Sequence, residues 1–155
     1  MINLRNDYCT VAHKKILEAL NNEVNNSFVG YGLDQISEEA ELIIKEKIGN
    51  KEAEVYFLTG GTITNKIMIA HMLKPYEAVI ACDSGHINVH ETGAIEQTGH
   101  KILLCTNKNG KIKKEDILNI INTHQDEHMV KPKAVYISNP TEFGTIYKKR
   151  ELQEL

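Results

Sequence analysis

The stretch Gly60-Gly61-Thr62-Ile63-Thr64-Asn65 puts two adjacent glycines, two hydroxyls and an amide side by side. It follows an apolar run, Glu54-Val55-Tyr56-Phe57-Leu58-Thr59, that reads as a buried strand. It precedes an apolar-periodic run from Ile67 to Leu73 that reads as a helix. A glycine-rich turn entering a helix leaves backbone N–H groups bare at the positive end of the helix dipole, and that is the local chemistry of phosphate binding. Thr62 and Thr64 add hydroxyl donors beside those amides. Neither G-x-G-x-x-G nor G-x-x-x-x-G-K-[ST] is present, so neither a dinucleotide nor a nucleoside triphosphate is supported. The alternative is a plain strand-to-helix turn with threonine as N-cap.

A second constellation, Asp83-Ser84-Gly85-His86-Ile87-Asn88-Val89-His90-Glu91, follows the next apolar run. His86 and His90 are four apart and share a helix face, which with Asp83 or Glu91 suggests a zinc site. Neither H-E-x-x-H nor H-x-x-E-H occurs, and no metal is assigned. A polar loop with a satisfied histidine is the plainer reading. Ser138-Asn139-Pro140-Thr141-Glu142-Phe143-Gly144-Thr145 is a third polar segment. Each of the three follows an expected strand, and ligands of open α/β sheets sit outside the carboxyl ends of strands, so all three can face one crevice. Leu4-Arg5-Asn6-Asp7-Tyr8 and Tyr31-Gly32-Leu33-Asp34 are polar and aromatic loop segments whose spacing gives them no role.

The elements that must position these groups alternate. Thr10 to Asn22 carries a helical stripe of Val11, Ile16, Leu17 and Leu20. A second helix starts at Ser37, with Leu42, Ile43, Ile44 and Ile48 as its apolar face and Gly49-Asn50 as its stop. Strands are expected at 55–59, 77–82, 101–105 and 133–138. Helices are expected at 64–73, 90–98 and 114–123, and from Tyr147 onward. Strands separated by helices imply parallel pairing with helical crossovers, hence an α/β fold. The last helix has no stop signal, with Leu152 and Leu155 still in phase, so the C-terminus reads as a cut. A partial sheet of this kind is expected to expose apolar edges and to associate.

The bulk numbers narrow the class. A chain of 155 residues suffices for one domain with a real core. A net charge of −3, mixed in sign, argues for neither nucleic acid nor an acidic membrane. Lys108, Lys111, Lys113 and Lys114 precede Glu115 and Asp116 and read as a solvated turn. Cys9, Cys82 and Cys105 are odd in number and form no C-x-x-C, which fits a reducing cytoplasm. No signal peptide is visible and no apolar run approaches the roughly 20 residues of a membrane span.

In combination the short motifs are specific. Leu4–Tyr8, Tyr31-Gly32-x-Asp34, Gly60-Gly61-Thr62-x-Thr64-Asn65, Asp83–Ile87, Glu91–Ala94 and Pro140-Thr141-Glu142-x-Gly144-Thr145, in that order, resemble the N-terminal half of the threonine aldolase / β-eliminating lyase family. These are pyridoxal-phosphate enzymes of the aspartate-aminotransferase fold (fold type I), and the version here is most similar to the low-specificity threonine aldolases. The resemblance implies a three-layer α/β large domain with a mostly parallel sheet, incomplete at the C-terminus. On that reading residues 1–35 form a helix-and-loop arm and residues 36–155 the α/β unit. It implies that Gly61 and Thr62 hold the phosphate of pyridoxal 5′-phosphate. His86 would stack on the cofactor ring and assist proton transfer at the substrate β-hydroxyl. Asn6 falls near the substrate carboxylate, where many members carry serine. Tyr31 would contribute to substrate binding across a subunit interface, as expected of a homo-oligomer. Glu91 lies near the cofactor without an assigned job, and His90 is structural. The implied substrate is a small β-hydroxy amino acid, cleaved to glycine and an aldehyde. The family's Schiff-base lysine, pyridine-pairing aspartate and carboxylate-clamping arginine lie downstream, so the 155-residue chain alone is expected to be inactive. Lys66 reads as a solvent-facing helix residue rather than a substitute. Another β-eliminating lyase of fold type I, or a non-catalytic module binding a phosphorylated metabolite, would share the same half-domain.

Overall fold

A computed structural model describes residues 8–107 and 109–155. The chain divides into two compact units, one ending at Phe57 and the other running from Leu58 to Leu155.

The first unit holds two helices, α1 (Lys14–Asn22) and α2 (Gln35–Ile48). The capping residues decide where each begins. His13 accepts a hydrogen bond from the Lys15 amide, so α1 starts later than the apolar stripe alone suggests. Asp34 caps α2: its Oδ1 accepts from the Ser37 amide at 2.9 Å and its Oδ2 from the Ser37 hydroxyl at 2.7 Å. The helix therefore opens before Ser37, and these bonds hold the Asp34 carboxyl below its ordinary value. Gly49, at φ 67°, ends α2 in the left-handed conformation that glycine adopts at least cost. Neither helix buries a residue: the expected apolar faces, including Leu20, Leu42 and Ile48, are exposed.

The strand expected at 55–59 is a correction. These residues form no strand among the described residues, and Tyr56 and Phe57 are exposed. An apolar extended run becomes a strand only when a neighbour completes its backbone ladder, and the ladder of the three described strands does not include it.

The second unit contains α3 (Gly61–Met72), β1 (Glu77–Cys82), α4 (His86–Val89), a 3-10 turn (Glu96–Thr98), β2 (Lys101–Cys105), α5 (Lys114–Thr123), β3 (Lys131–Val135) and α6 (Lys149–Glu154). The sheet order is β2-β1-β3, parallel throughout, as the alternation of elements implies. Every residue of β1 is buried, and its period-two alternation serves two cores. Val79 and Ala81 pack with Ile69, Leu73, Ile87 and Ile95 on the α3/α4 side. Ala78, Ile80 and Cys82 pack with Leu103, Cys105 and Ile112 on the other, where Ile117 and Ile120 of α5 close over them. The result is three layers, helix on sheet on helix.

Two further departures have local causes. The helix expected at 90–98 is reduced to the 3-10 turn Glu96–Thr98, because Thr92 (φ 54°) and Gly93 (φ 75°) leave helical space. The third strand lies at 131–135 rather than 133–138. It is an edge strand, and Pro132, which lacks an N–H, sits beside a register shift at Ala78/Val79.

Cys82 and Cys105 face each other across the β1–β2 ladder as buried free thiols, whereas Cys9 is exposed. Burial, with a smaller contribution from Asp116, pushes the Cys105 thiol from 9 up to about 11. A proton held more tightly in the folded state stabilises it fully below 9, and that contribution fades as pH rises toward 11. A thiol reagent at pH 8 is expected to label one cysteine rapidly and the other two only on unfolding. Rapid labelling of all three would contradict the buried ladder.

Candidate functional site

The site is built within the second unit, from the start of α3 and the turn after β1. Gly60 is the N-cap of α3 and offers no side chain to cap it. The Thr64 hydroxyl bonds back to the Gly60 carbonyl at 2.9 Å, so no threonine caps the first-turn amides and the simple N-cap alternative is not what forms. The Gly61, Thr62 and Ile63 amides lie in the first turn, where a helix supplies no acceptor. Gly60 is extended (φ 168°, ψ 167°), a conformation open to any residue. A Cβ added at Gly60 or Gly61 would meet nothing within 4 Å. The protein's own packing therefore does not require these glycines, whereas an anion approaching the bare amides would.

The turn after β1 is tight. The Asp83 amide donates to the Cys105 carbonyl and the Gly85 amide to the Cys82 carbonyl, both at 2.8 Å. A Cβ on Gly85 would stand 2.9 Å from that Cys82 carbonyl oxygen, so here the fold itself demands glycine. Asn88 Nδ2 closes the turn on the Asp83 carbonyl at 2.6 Å. This geometry delivers His86 as the first residue of α4.

His86 Nδ1 lies 2.8 Å from Glu91 Oε1, and Asn65 Nδ2 donates to the same oxygen at 2.6 Å. Glu91 thus ties the histidine loop to the glycine turn. Its side chain is 0% exposed, against 46% for His86. Glu91 Oε2 is buried without a hydrogen-bond partner among the described residues. The His90 ring packs 5.4 Å from that of His86, tilted by 57°. Nearby, burial pushes the Tyr136 hydroxyl above its ordinary value, Ser138 opposes this, and Glu91 and Glu142 add to it.

The 138–145 segment does mostly structural work. Ser138 donates to Glu142 at 2.5 Å. The Thr141 and Thr145 hydroxyls lie 2.7 Å apart, and that of Thr145 donates to the Asn109 carbonyl. The buried Tyr147 hydroxyl accepts from the Ile112 amide at 2.6 Å.

The remaining expected site residues fall elsewhere. Tyr31 is in the first unit, exposed, with φ 65°. Asn6 lies outside the described residues. Lys66 bonds Gln97 at the surface and is of intermediate exposure. No group of three or more metal-ligating side chains is gathered among the described residues. An open depression of about 590 Å³ is lined by Thr62, Lys66, Glu91, Thr92 and Gln97 among others. A cleft of about 630 Å³ between the start of α5 and α6 is slightly larger, but it has neither the bare amides nor the imidazole. Chemistry, not volume, makes the first of these the candidate site.

Comparison with known proteins gives the family and the fold. The sequence model of the beta-eliminating lyase family matches residues 3–155. A low specificity L-threonine aldolase of Pseudomonas aeruginosa is 32% identical over 127 residues, covering 81% of this chain and 36% of that protein. One from a Pseudomonas sp. is 31% identical, covering 70% of this chain and 32% of its own. The chain thus spans about a third of the length of these curated relatives. Among solved structures, a threonine aldolase of Leishmania major superposes with a TM-score of 0.93 at 45% identity, over 96% of this chain and 44% of its own. An alanine–glyoxylate aminotransferase of a Nostoc sp. (TM-score 0.53, 20% identity, 73% of this chain and 30% of its own) shares the fold.

Proposed function

Because this chain belongs to the beta-eliminating lyase family, we propose that the protein carrying it is a pyridoxal-phosphate-dependent lyase of the threonine aldolase type. It cleaves a β-hydroxy amino acid to glycine and an aldehyde. The observation that carries this reading is the coupling of an uncapped, glycine-opened helix start to a half-exposed imidazole through one buried carboxylate.

The residues fit the cofactor's chemical needs. The bare first-turn amides and the Thr62 hydroxyl bind a phosphate at the positive end of α3. The half-exposed His86 supplies a platform for a planar ring, and its imidazole can hold or pass the proton of the substrate β-hydroxyl. The chemistry the cofactor supplies when bound is that of an electron sink for the pair released as the Cα–Cβ bond breaks. Asn6 is read as a contact of the substrate carboxylate, and Tyr31 as a contribution from a neighbouring subunit of a homo-oligomer. A monomer on sizing chromatography would contradict that last role. The free cysteines fit a cytoplasmic enzyme, and no described helix is long and apolar enough to cross a membrane.

The test uses the natural protein carrying this sequence, mixed with pyridoxal phosphate. A visible absorption band from bound cofactor and aldehyde release from threonine are expected, and absence of both overturns the reading. The 155-residue segment assayed alongside is expected to give no turnover, since none of its lysines matches the family's cofactor-bearing one. Measurable cleavage by the segment would show that expectation wrong.

A further inference from the structure

Glu91 has a side chain that is 0% exposed, and a carboxylate is almost never buried without a paired or hydrogen-bonded reason. Its partners are not generic. One oxygen, Oε1, meets both Asn65 from the first turns of α3 and His86 from the start of α4. We propose that Glu91 is a positioning residue that fixes His86 in the Nδ1–H tautomer and locks the imidazole to the glycine turn.

The tautomer follows from the partner. An ionised carboxylate only accepts, so the ring nitrogen facing it carries the hydrogen. Nδ1 is that nitrogen, at 2.8 Å. Nε2 is then the lone-pair nitrogen, and it makes no hydrogen bond among the described residues. An imidazole in this state can take a proton through Nε2 while its far side stays anchored. Reversing the tautomer would present an N–H where a proton acceptor is needed. Asn65 serves the same oxygen at 2.6 Å, so the spacing between the bare amides and the ring is set by one atom. The assignment rests on reading His86 as the residue at the cofactor and substrate, as proposed above.

The test begins with the 15N-labelled natural protein free of cofactor, whose ring nitrogens report the tautomer by NMR. Wild type is expected to show His86 protonated at Nδ1. In Glu91→Ala the ring loses the acceptor at Nδ1, and the population is expected to swing toward the Nε2–H form that a free imidazole prefers. With cofactor and threonine, kcat of this variant is expected to fall about 100-fold or more, with KM changed less than about threefold. Asn65→Ala keeps the carboxylate and is expected to keep the tautomer, with a kcat loss under about tenfold. If Glu91→Ala does not fold, Glu91→Asp replaces it, and its retained carboxylate should preserve Nδ1–H. A wild-type His86 protonated at Nε2, an unchanged tautomer in Glu91→Ala, or an Nε2–H ring in Glu91→Asp would each overturn the proposal. If the natural protein cleaves no β-hydroxy amino acid, the functional reading fails on its own, and the cofactor-free tautomer still decides the role of Glu91.

Discussion

Replacing Gly61 with aspartate is expected to weaken pyridoxal phosphate binding by about 100-fold or more while leaving thermal stability unchanged or slightly raised. The two effects have opposite signs because they arise from the same field. Gly61 is the first residue of α3, where the dipole favours a negative side chain by roughly 0.3–1 kcal/mol. A Cβ there meets nothing within 4 Å, so the new side chain fits without strain. A phosphate drawn to the same amides now meets a like charge. At a separation of about 5 Å and an effective dielectric near 20, the repulsion is about 3 kcal/mol, roughly two orders of magnitude in affinity. Titrating the natural protein with cofactor, alongside a melting curve, reads both. Wild-type affinity in the variant would show that the phosphate is held elsewhere.

Ile80→Ala is expected to cost about 2–5 kcal/mol of stability. Ile80 is 1% exposed at the centre of the middle strand, packed among Leu103, Cys105 and Ile112. It is held between β2 and β3 by the ladders Ile80↔Leu103 and Ile80↔Val135, so the surroundings cannot collapse freely into the space it leaves. It faces α5, away from the side that carries α3 and Ile87 of α4. The loss should therefore appear in the urea midpoint before it appears in cofactor affinity. A change below about 1 kcal/mol would mean that this layer is not packed as described.

The sheet was legible in the sequence wherever burial was two-sided. Ala78–Cys82 is a continuous apolar run because both faces of the strand are covered, and the helices between the strands dictate parallel pairing. The glycine turn was legible for a different reason: its chemistry is local. Residues 54–59 were misread because an apolar extended run says nothing about whether a neighbour is there to pair with it. The Asp34 cap was missed because Ser37, three residues on and itself a common cap, offered the nearer signal. The link between Asn65, Glu91 and His86 was out of reach. Asn65 and Glu91 are 26 residues apart, and a glutamate beside a histidine in a polar stretch reads as surface. Only the fold places that carboxylate inside, where it is 0% exposed.

The order β2-β1-β3 also bears on how the chain is made. The middle strand, Glu77–Cys82, leaves the ribosome roughly 50 residues before Lys131–Val135, the strand that closes its second side. At about 5–20 residues per second, that leaves one edge of the most apolar strand open for about 3–10 s of synthesis. From Ala78 to Cys82 that strand carries neither a charge nor a proline to discourage pairing with a stranger. The pace at which residues 106–131 are translated should therefore influence how much of the protein reaches its native state.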